Sequence, residues 1–254
     1  MIKFENVTKT YKQKDATLNA LKNVSFDIKD DEIFGIIGMS GAGKSTLLRL
    51  LATLEAPSEG NIIVDDIDED GFNKPINVTS LKGKALRKYR ANIGVVFQGF
   101  NLLKQINVFE NIAFPLRVQK WSKERINERV TELLELVGLQ GFEKHYPSTL
   151  SGGQAQRVAI ARALATSPRY LLLDEITSAL DPIMTRQVIE FLKKVQKETQ
   201  VTMILITHEM NVVRKLTDRV IVLYQGEIVE RGNTKEVFEN PRHEITKLLL
   251  GEEE

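Results

Sequence analysis

Residues 32–46, EIFGIIGMSGAGKST, decide the fold. After Glu32 the run Ile33–Ile37 is almost continuously apolar, as a strand buried on both faces should be. A glycine-rich turn follows at once, and the next residues predict a helix from about Lys44 to Thr53. Between strand and helix stands G-x-x-x-x-G-K-S/T, the phosphate-binding loop, in the flanking context that the motif needs. Its glycines let backbone N–H groups turn toward phosphate oxygens, and the helix N-terminus adds its positive end. Gly38, Met39, Ser40, Gly41, Ala42, Gly43, Lys44, Ser45 and Thr46 form the expected nucleotide cradle. In it Lys44 would neutralise β/γ-phosphate charge and Ser45 would ligate Mg²⁺.

Working outward, Ile2 and Phe4, then Val24, Phe26 and Ile28, alternate with polar residues and predict a half-exposed antiparallel sheet. Asn61–Val64 and Ile93–Phe97 are further strand candidates, and the polar stretch Asp65–Lys84 reads as a surface excursion. Between Val108 and Leu139 the pattern is helical. Ile126, Val130, Leu133, Leu134 and Val137 fall on one face at i, i+4, i+7, i+8 and i+11. Beyond Ser151 come a helix, the strand 170–173, a helix 182–197, a strand 201–206, a short helix from Glu209 and a strand 219–223. This alternation predicts an α/β fold with a mostly parallel sheet. A hairpin at Gln225–Gly226 and two short helices, about 234–239 and 243–250, close the chain.

Composition narrows the function. The 254 residues are 42% hydrophobic and 27% charged, which is globular and fits one large domain with an inserted lobe. Lysine and arginine total 35 against 34 acidic residues, a net charge of +1 that gives no electrostatic reason to expect a nucleic-acid partner. Cysteine is absent, which excludes disulfides and thiolate metal sites. No signal-peptide core and no run near 18 apolar residues occur, so a soluble chain is expected, reaching a membrane only through a protein partner.

Two other segments carry chemistry. Tyr170–Glu175, YLLLDE, is an apolar strand ending in two carboxylates, at the strand end where ligands of open α/β sheets sit. Asp174 is placed to hold Mg²⁺ and Glu175 to polarise the attacking water. The bland alternative is a solvated strand end. Leu150-Ser151-Gly152-Gly153-Gln154 opens the next helix with a good N-cap serine and two glycines that allow close approach by an anion. Ordinary capping would explain the serine but leaves both glycines and Gln154 without a use.

LSGGQ together with GMSGAGKST resembles the ABC ATPases, and the resemblance covers nearly the whole chain in order. It implies a P-loop NTPase core with an antiparallel β subdomain (1–97 and 168–254) and an inserted α-helical lobe carrying the signature (98–167). It also implies that Gln98 is the Q-loop ligand of Mg²⁺ and water, and that Ser178–Asp181 is the D-loop, with Asp181 at the nucleotide. His208 would be the switch histidine and Tyr11 the adenine-stacking ring. Ser151, Gly152, Gly153 and Gln154 of one copy would contact the γ-phosphate held by another, sandwiching ATP in a homodimer. Ile176 departs from the proline or alanine usual after the catalytic glutamate, and altered loop packing rather than lost chemistry is expected there.

Segments such as VFQGFNLLKQINVFENIAFPL and YPSTLSGGQAQRVAIARALA are similar to amino-acid importer ATPases, the methionine-importer subgroup above all. The resemblance implies ATP-driven import at the cytoplasmic face of the cell membrane. The implied partners are integral permease subunits, which would dock around Gln98–Phe114, and indirectly an extracytoplasmic solute-binding protein. That subgroup often carries a C-terminal amino-acid-sensing domain, which this chain is expected to lack. An exporter or lipoprotein-release ATPase, and a non-transport ABC ATPase, are the alternative readings.

Overall fold

A computed structural model describes residues 1–12, 17–67, 73–178 and 180–251. Ala179, within the expected D-loop, and residues 68–72 of the polar stretch lie outside the described residues. Two compact units divide the chain: residues 1–90 with 202–254, and residues 91–201. Residues 1–90 carry β1 (Ile2–Lys12), β2 (Thr17–Ile28), β3 (Ile33–Gly38), α1 (Lys44–Leu51), β4 (Glu59–Ile67), β5 (Asn73–Asn77) and α2 (Gly83–Ala91, its last residue across the divide). Residues 91–201 carry β6 (Ile93–Val96), α3 (Val108–Val118), α4 (Lys123–Leu136), α5 (Gly152–Leu164), β7 (Tyr170–Asp174) and α6 (Pro182–Thr199). The chain then completes the first unit with β8 (Thr202–Ile206), α7 (Met210–Leu216), β9 (Arg219–Tyr224), β10 (Glu227–Asn233), α8 (Thr234–Glu239) and α9 (Glu244–Leu250).

In the first unit the predicted alternation builds an antiparallel sheet in the order β2-β1-β4-β5. Ile2 pairs with Ile28 and Phe4 with Phe26, so the apolar residues of both strands share one face. The Phe4 and Phe26 rings stack with centroids 4.5 Å apart, and Phe34 of β3 stacks next to Phe26. β3 is buried along its whole length. It runs parallel to β8 on one side and to β9 on the other, with Ile36 opposite Ile206 and Ile37 opposite Val222. β10 returns antiparallel to β9 through the Gln225–Gly226 turn, where both residues have positive φ as a tight hairpin requires. Ile37, Val213, Val220, Val222, Val237 and Phe238 form a core beneath these strands.

In the second unit β6 and β7 are parallel, Val96 opposite Leu173, and α5 packs against β6 as well as against α3 and α4. Ile126, Val130, Leu133, Leu134 and Val137 are all buried, as their helical spacing predicts. The helical stretch 108–139 carries two helices, α3 and α4. Lys120 takes φ 59°, and Ser122 then caps α4 by accepting from the Arg125 N–H.

On either side of residues 68–72, the polar excursion carries strand pairing that the sequence does not announce. β4 continues to Ile67, and β5 pairs with it, Val64 opposite Ile76. An edge strand made mostly of Asn, Lys and Pro has no alternation to announce it; it forms because β4 offers an unpaired edge. The α2 helix that follows buries a single side chain, Tyr89, whose hydroxyl donates to the Leu51 carbonyl.

Candidate nucleotide-binding and catalytic site

The loop 38–46 leaves β3 and enters α1. Gly38 has φ 150°, and a Cβ there would lie 2.2 Å from the Leu223 carbonyl oxygen of β9. Gly43 has φ 108°, and its Cβ would lie 2.5 Å from the Ala20 carbonyl of β2. Both positions are closed to any side chain, so the loop takes this path only with glycine. Gly43 is the N-cap of α1 and no side chain caps that helix, so its first-turn donors are available to an anion. Lys44 is 7% exposed; its ammonium donates to the carbonyls of Gly38 (2.7 Å) and Met39 (2.9 Å), which fold it over the loop. Ser45 is exposed at the first turn of α1, while Thr46 is buried. Met39, Ser40 and Gly41 form the exposed crest of the loop, and Ala42 is buried beneath it.

Support for the loop comes from the Gln225–Gly226 hairpin, a contact that sequence reading did not foresee. The Gly226 N–H of the β9–β10 hairpin donates to the Ala42 carbonyl, and the Gly226 carbonyl accepts from the Lys22 N–H of β2. No local pattern links residue 226 to residue 42; only the β3–β9 pairing does.

Tyr11 lies beside this helix. Its hydroxyl bonds to the Glu55 carboxylate, and Thr46 also hydrogen-bonds it. Burial, then the Glu55 bond, pushes the phenol above its usual value of 10.0. The Lys9 ammonium sits 5.0 Å from the Tyr11 ring centroid, occupying one face of the ring. Glu55, in turn, is held below the usual carboxylate value chiefly by the Tyr11 hydroxyl. His208 is exposed two residues past the end of β8. Because Ile36 and Ile206 are paired, it leaves the sheet at the same edge as the glycine loop.

The second unit gathers the carboxylates with two other expected residues. Since Val96 is opposite Leu173, Gln98 and the Asp174-Glu175 pair emerge together at the carboxyl ends of β6 and β7. Asp174 and Glu175 are both half-buried. Glu175 has φ 47°, a left-handed conformation unusual for a non-glycine residue. The Ser178 hydroxyl donates to its carbonyl (2.9 Å), and the Gln98 amide nitrogen donates to Ser178 (3.0 Å). Ile176, the next residue, is buried. Asp181 is the N-cap of α6, its carboxylate accepting from the N–H groups of Ile183 and Met184.

At the start of α5, Ser151 accepts from the Gln154 N–H while the Gln154 side chain accepts from the Ser151 N–H. This capping box corrects the expectation that capping has no use for Gln154. A Cβ at Gly153 would lie 2.8 Å from the end of the flexible Met184 side chain, which can move aside. Gly152, by contrast, has only Leu180 nearby, at 4.0 Å.

Ser45, Asp174 and the Gln98 amide oxygen are hard donors suited to Mg²⁺. Among the described residues no group of three or more His, Asp or Glu side chains could cage a metal. Ser45, Asp174 and Gln98 are each donors of the kind found on an ion whose shell phosphate oxygens and water complete.

A glycine loop closed to side chains, an uncapped helix start and a lysine folded over the loop define a P-loop nucleotide-binding protein. The family model described as ABC transporter matches residues 21–178. Similar sequences include the methionine import ATP-binding protein MetN of Geobacillus kaustophilus, 53% identical over 98% of this chain and 70% of that one. MetN 2 of Lactiplantibacillus plantarum is 47% identical over 100% of this chain and 71% of its own length. Among solved structures, the dimeric ATP-binding cassette MJ0796 bound to ADP and Pi shares the fold with a TM-score of 0.79. It is 40% identical, covering 92% of this chain and 99% of that one. CbiO1 of Clostridium perfringens, part of an ABC transporter complex, has a TM-score of 0.81 at 33% identity, covering 94% and 90%. The chain belongs to the ABC transporter family, as an ATP-hydrolysing cassette.

Proposed function

We propose that this chain powers an ABC importer for a small solute, methionine or a related amino acid, through ATP-driven closure of a homodimer. The observation that carries the reading is the likeness, along nearly the whole chain, to methionine import ATP-binding proteins. The same likeness favours import over the exporter reading. Among the described residues no helix is long and apolar enough to cross a membrane, so the path for the solute belongs to partner subunits.

In this reading the loop 38–46 orients the triphosphate, Lys44 neutralises charge on its β/γ oxygens, and Tyr11 flanks the base with the ring face away from Lys9. Ser45, Asp174 and Gln98 would hold Mg²⁺, which when bound would neutralise phosphate charge. Glu175 accepts a hydrogen bond from the attacking water and orients it toward the γ-phosphorus, and His208 stabilises the charge that develops there. The α5 N-terminus of a second copy, through Ser151 and the amides of Gly152 and Gly153, completes the anion site. Asp181 caps α6 beside that terminus.

Permease subunits dock on the Q-loop and α3, where Leu103, Phe114 (49% exposed) and Val118 (67% exposed) present apolar surface. An extracytoplasmic binding protein delivers the solute to them. Transport in vesicles reconstituted with the cognate permease and a panel of amino acids tests the assignment. ATP-dependent accumulation of methionine is expected, and outward movement of substrate would overturn it.

A further inference from the structure

The buried side chain of Gln156 is used by none of the chemistry above. It is 0% exposed on α5, five residues from the Ser151 cap. Its amide nitrogen donates to the Ile176 carbonyl (2.8 Å), and its amide oxygen has no protein partner among the described residues. As a stabilising device this is poor. One neutral hydrogen bond is offset by the desolvation of an unpaired oxygen, and an apolar side chain of the same volume would fill the space.

What Gln156 does touch is the turn that carries the candidate base. Ile176 follows Glu175, whose φ of 47° is costly for a side-chain-bearing residue and persists only where its surroundings hold it. Ser178, backed by Gln98, holds the Glu175 carbonyl through its hydroxyl and its own N–H, and Gln156 holds the next carbonyl along. Gln98 reports the Q-loop. Gln156 reports α5, whose first turn carries the signature glycines.

We propose that Gln156 is a positioning residue that couples the signature helix to the backbone of the catalytic turn. A helix spans the roughly 7.5 Å from Ser151 to Gln156 as a rigid rod. Anion engagement at the α5 N-terminus therefore shifts the Ile176 carbonyl and sets the angle at which Glu175 meets its water. Each chain thereby links the nucleotide its signature touches to the nucleotide its own glutamate acts on. The inference rests on Glu175 being the base.

The test is Gln156→Met, made in the wild-type chain and in Glu175→Gln. In the wild-type chain kcat for ATP should fall by about 10- to 100-fold, the cost of a misplaced catalytic group. KM for ATP should stay within about twofold, with the melting temperature unchanged. In Glu175→Gln the same substitution should cause no further loss, because the two act as one unit. An unchanged kcat, or an equal loss in both backgrounds, overturns the proposal. Failure of the base assignment is read separately, as near-wild-type turnover of Glu175→Gln alone. Gln156→Glu guards against a fold defect: its buried carboxyl keeps a proton at low pH and can still donate to Ile176. Its kcat relative to wild type should therefore rise toward one as pH is lowered, and a pH-independent deficit overturns the coupling.

Discussion

The Ser178 hydroxyl donates a 2.9 Å hydrogen bond to the carbonyl of Glu175, and with it the residue read as base is held at φ 47°. The backbone of that residue, and not only its carboxylate, is thus part of the site. Removing the carboxylate charge in Glu175→Gln should slow turnover by about 10²- to 10⁴-fold while ATP binding persists. Removing only the prop, in Ser178→Ala, should cost about fivefold in kcat, the worth of one neutral hydrogen bond. Steady-state hydrolysis measures both, and equal losses in the two variants would contradict the division of roles.

Lys44 is folded onto the carbonyls of Gly38 and Met39, so its charge is stationed over the glycine loop. Lys44→Ala should weaken ATP binding by about 10- to 100-fold, the range of a charge-assisted hydrogen bond. Titration calorimetry with ATP checks this; unchanged affinity would remove Lys44 from the cradle.

Gly43 combines φ 108° with a Cβ position 2.5 Å from the Ala20 carbonyl. Gly43→Ala should destabilise the fold by about 1–3 kcal/mol from backbone strain alone, and more as β2 is displaced. Gly41→Ala, where a Cβ meets nothing within 4 Å, should cost less. Chemical denaturation of the two variants tests the ranking.

These loop positions were legible in the sequence because the motif is local: strand, turn and helix occupy consecutive residues. The face Ile126–Val137 was legible for the same reason, through its period. Much of what was not legible depends on residues far apart in sequence. Gly226 buttresses Ala42 through a strand pairing, and β5 forms only because β4 leaves an edge. Gln154 was misread as surplus to capping although Ser151 and Gln154 have the capping-box spacing. Gln156 gave no signal at all, since a glutamine inside an apolar helix says nothing of the carbonyl it meets 20 residues later.

Glu55 provides a pH signature. The Tyr11 hydroxyl, then Lys9 and Arg49, hold its carboxyl below the usual 4.5. A depressed carboxylate contributes stability that is present above its unfolded value and lost as pH falls through the folded one. The melting temperature of the wild-type chain should therefore drop more steeply below about pH 4.5 than that of Glu55→Gln. Parallel acid limbs would contradict the Tyr11–Glu55 link.

In the proposed dimer each ATP is shared between two copies, the glycine loop of one and the α5 N-terminus of the other. Sedimentation of Glu175→Gln with Mg-ATP tests it directly when paired with the double variant Ser151→Arg/Glu175→Gln. The first should sediment as a dimer, and the second as a monomer that still binds ATP through its intact loop. A dimer of undiminished stability in the double variant would contradict the shared site.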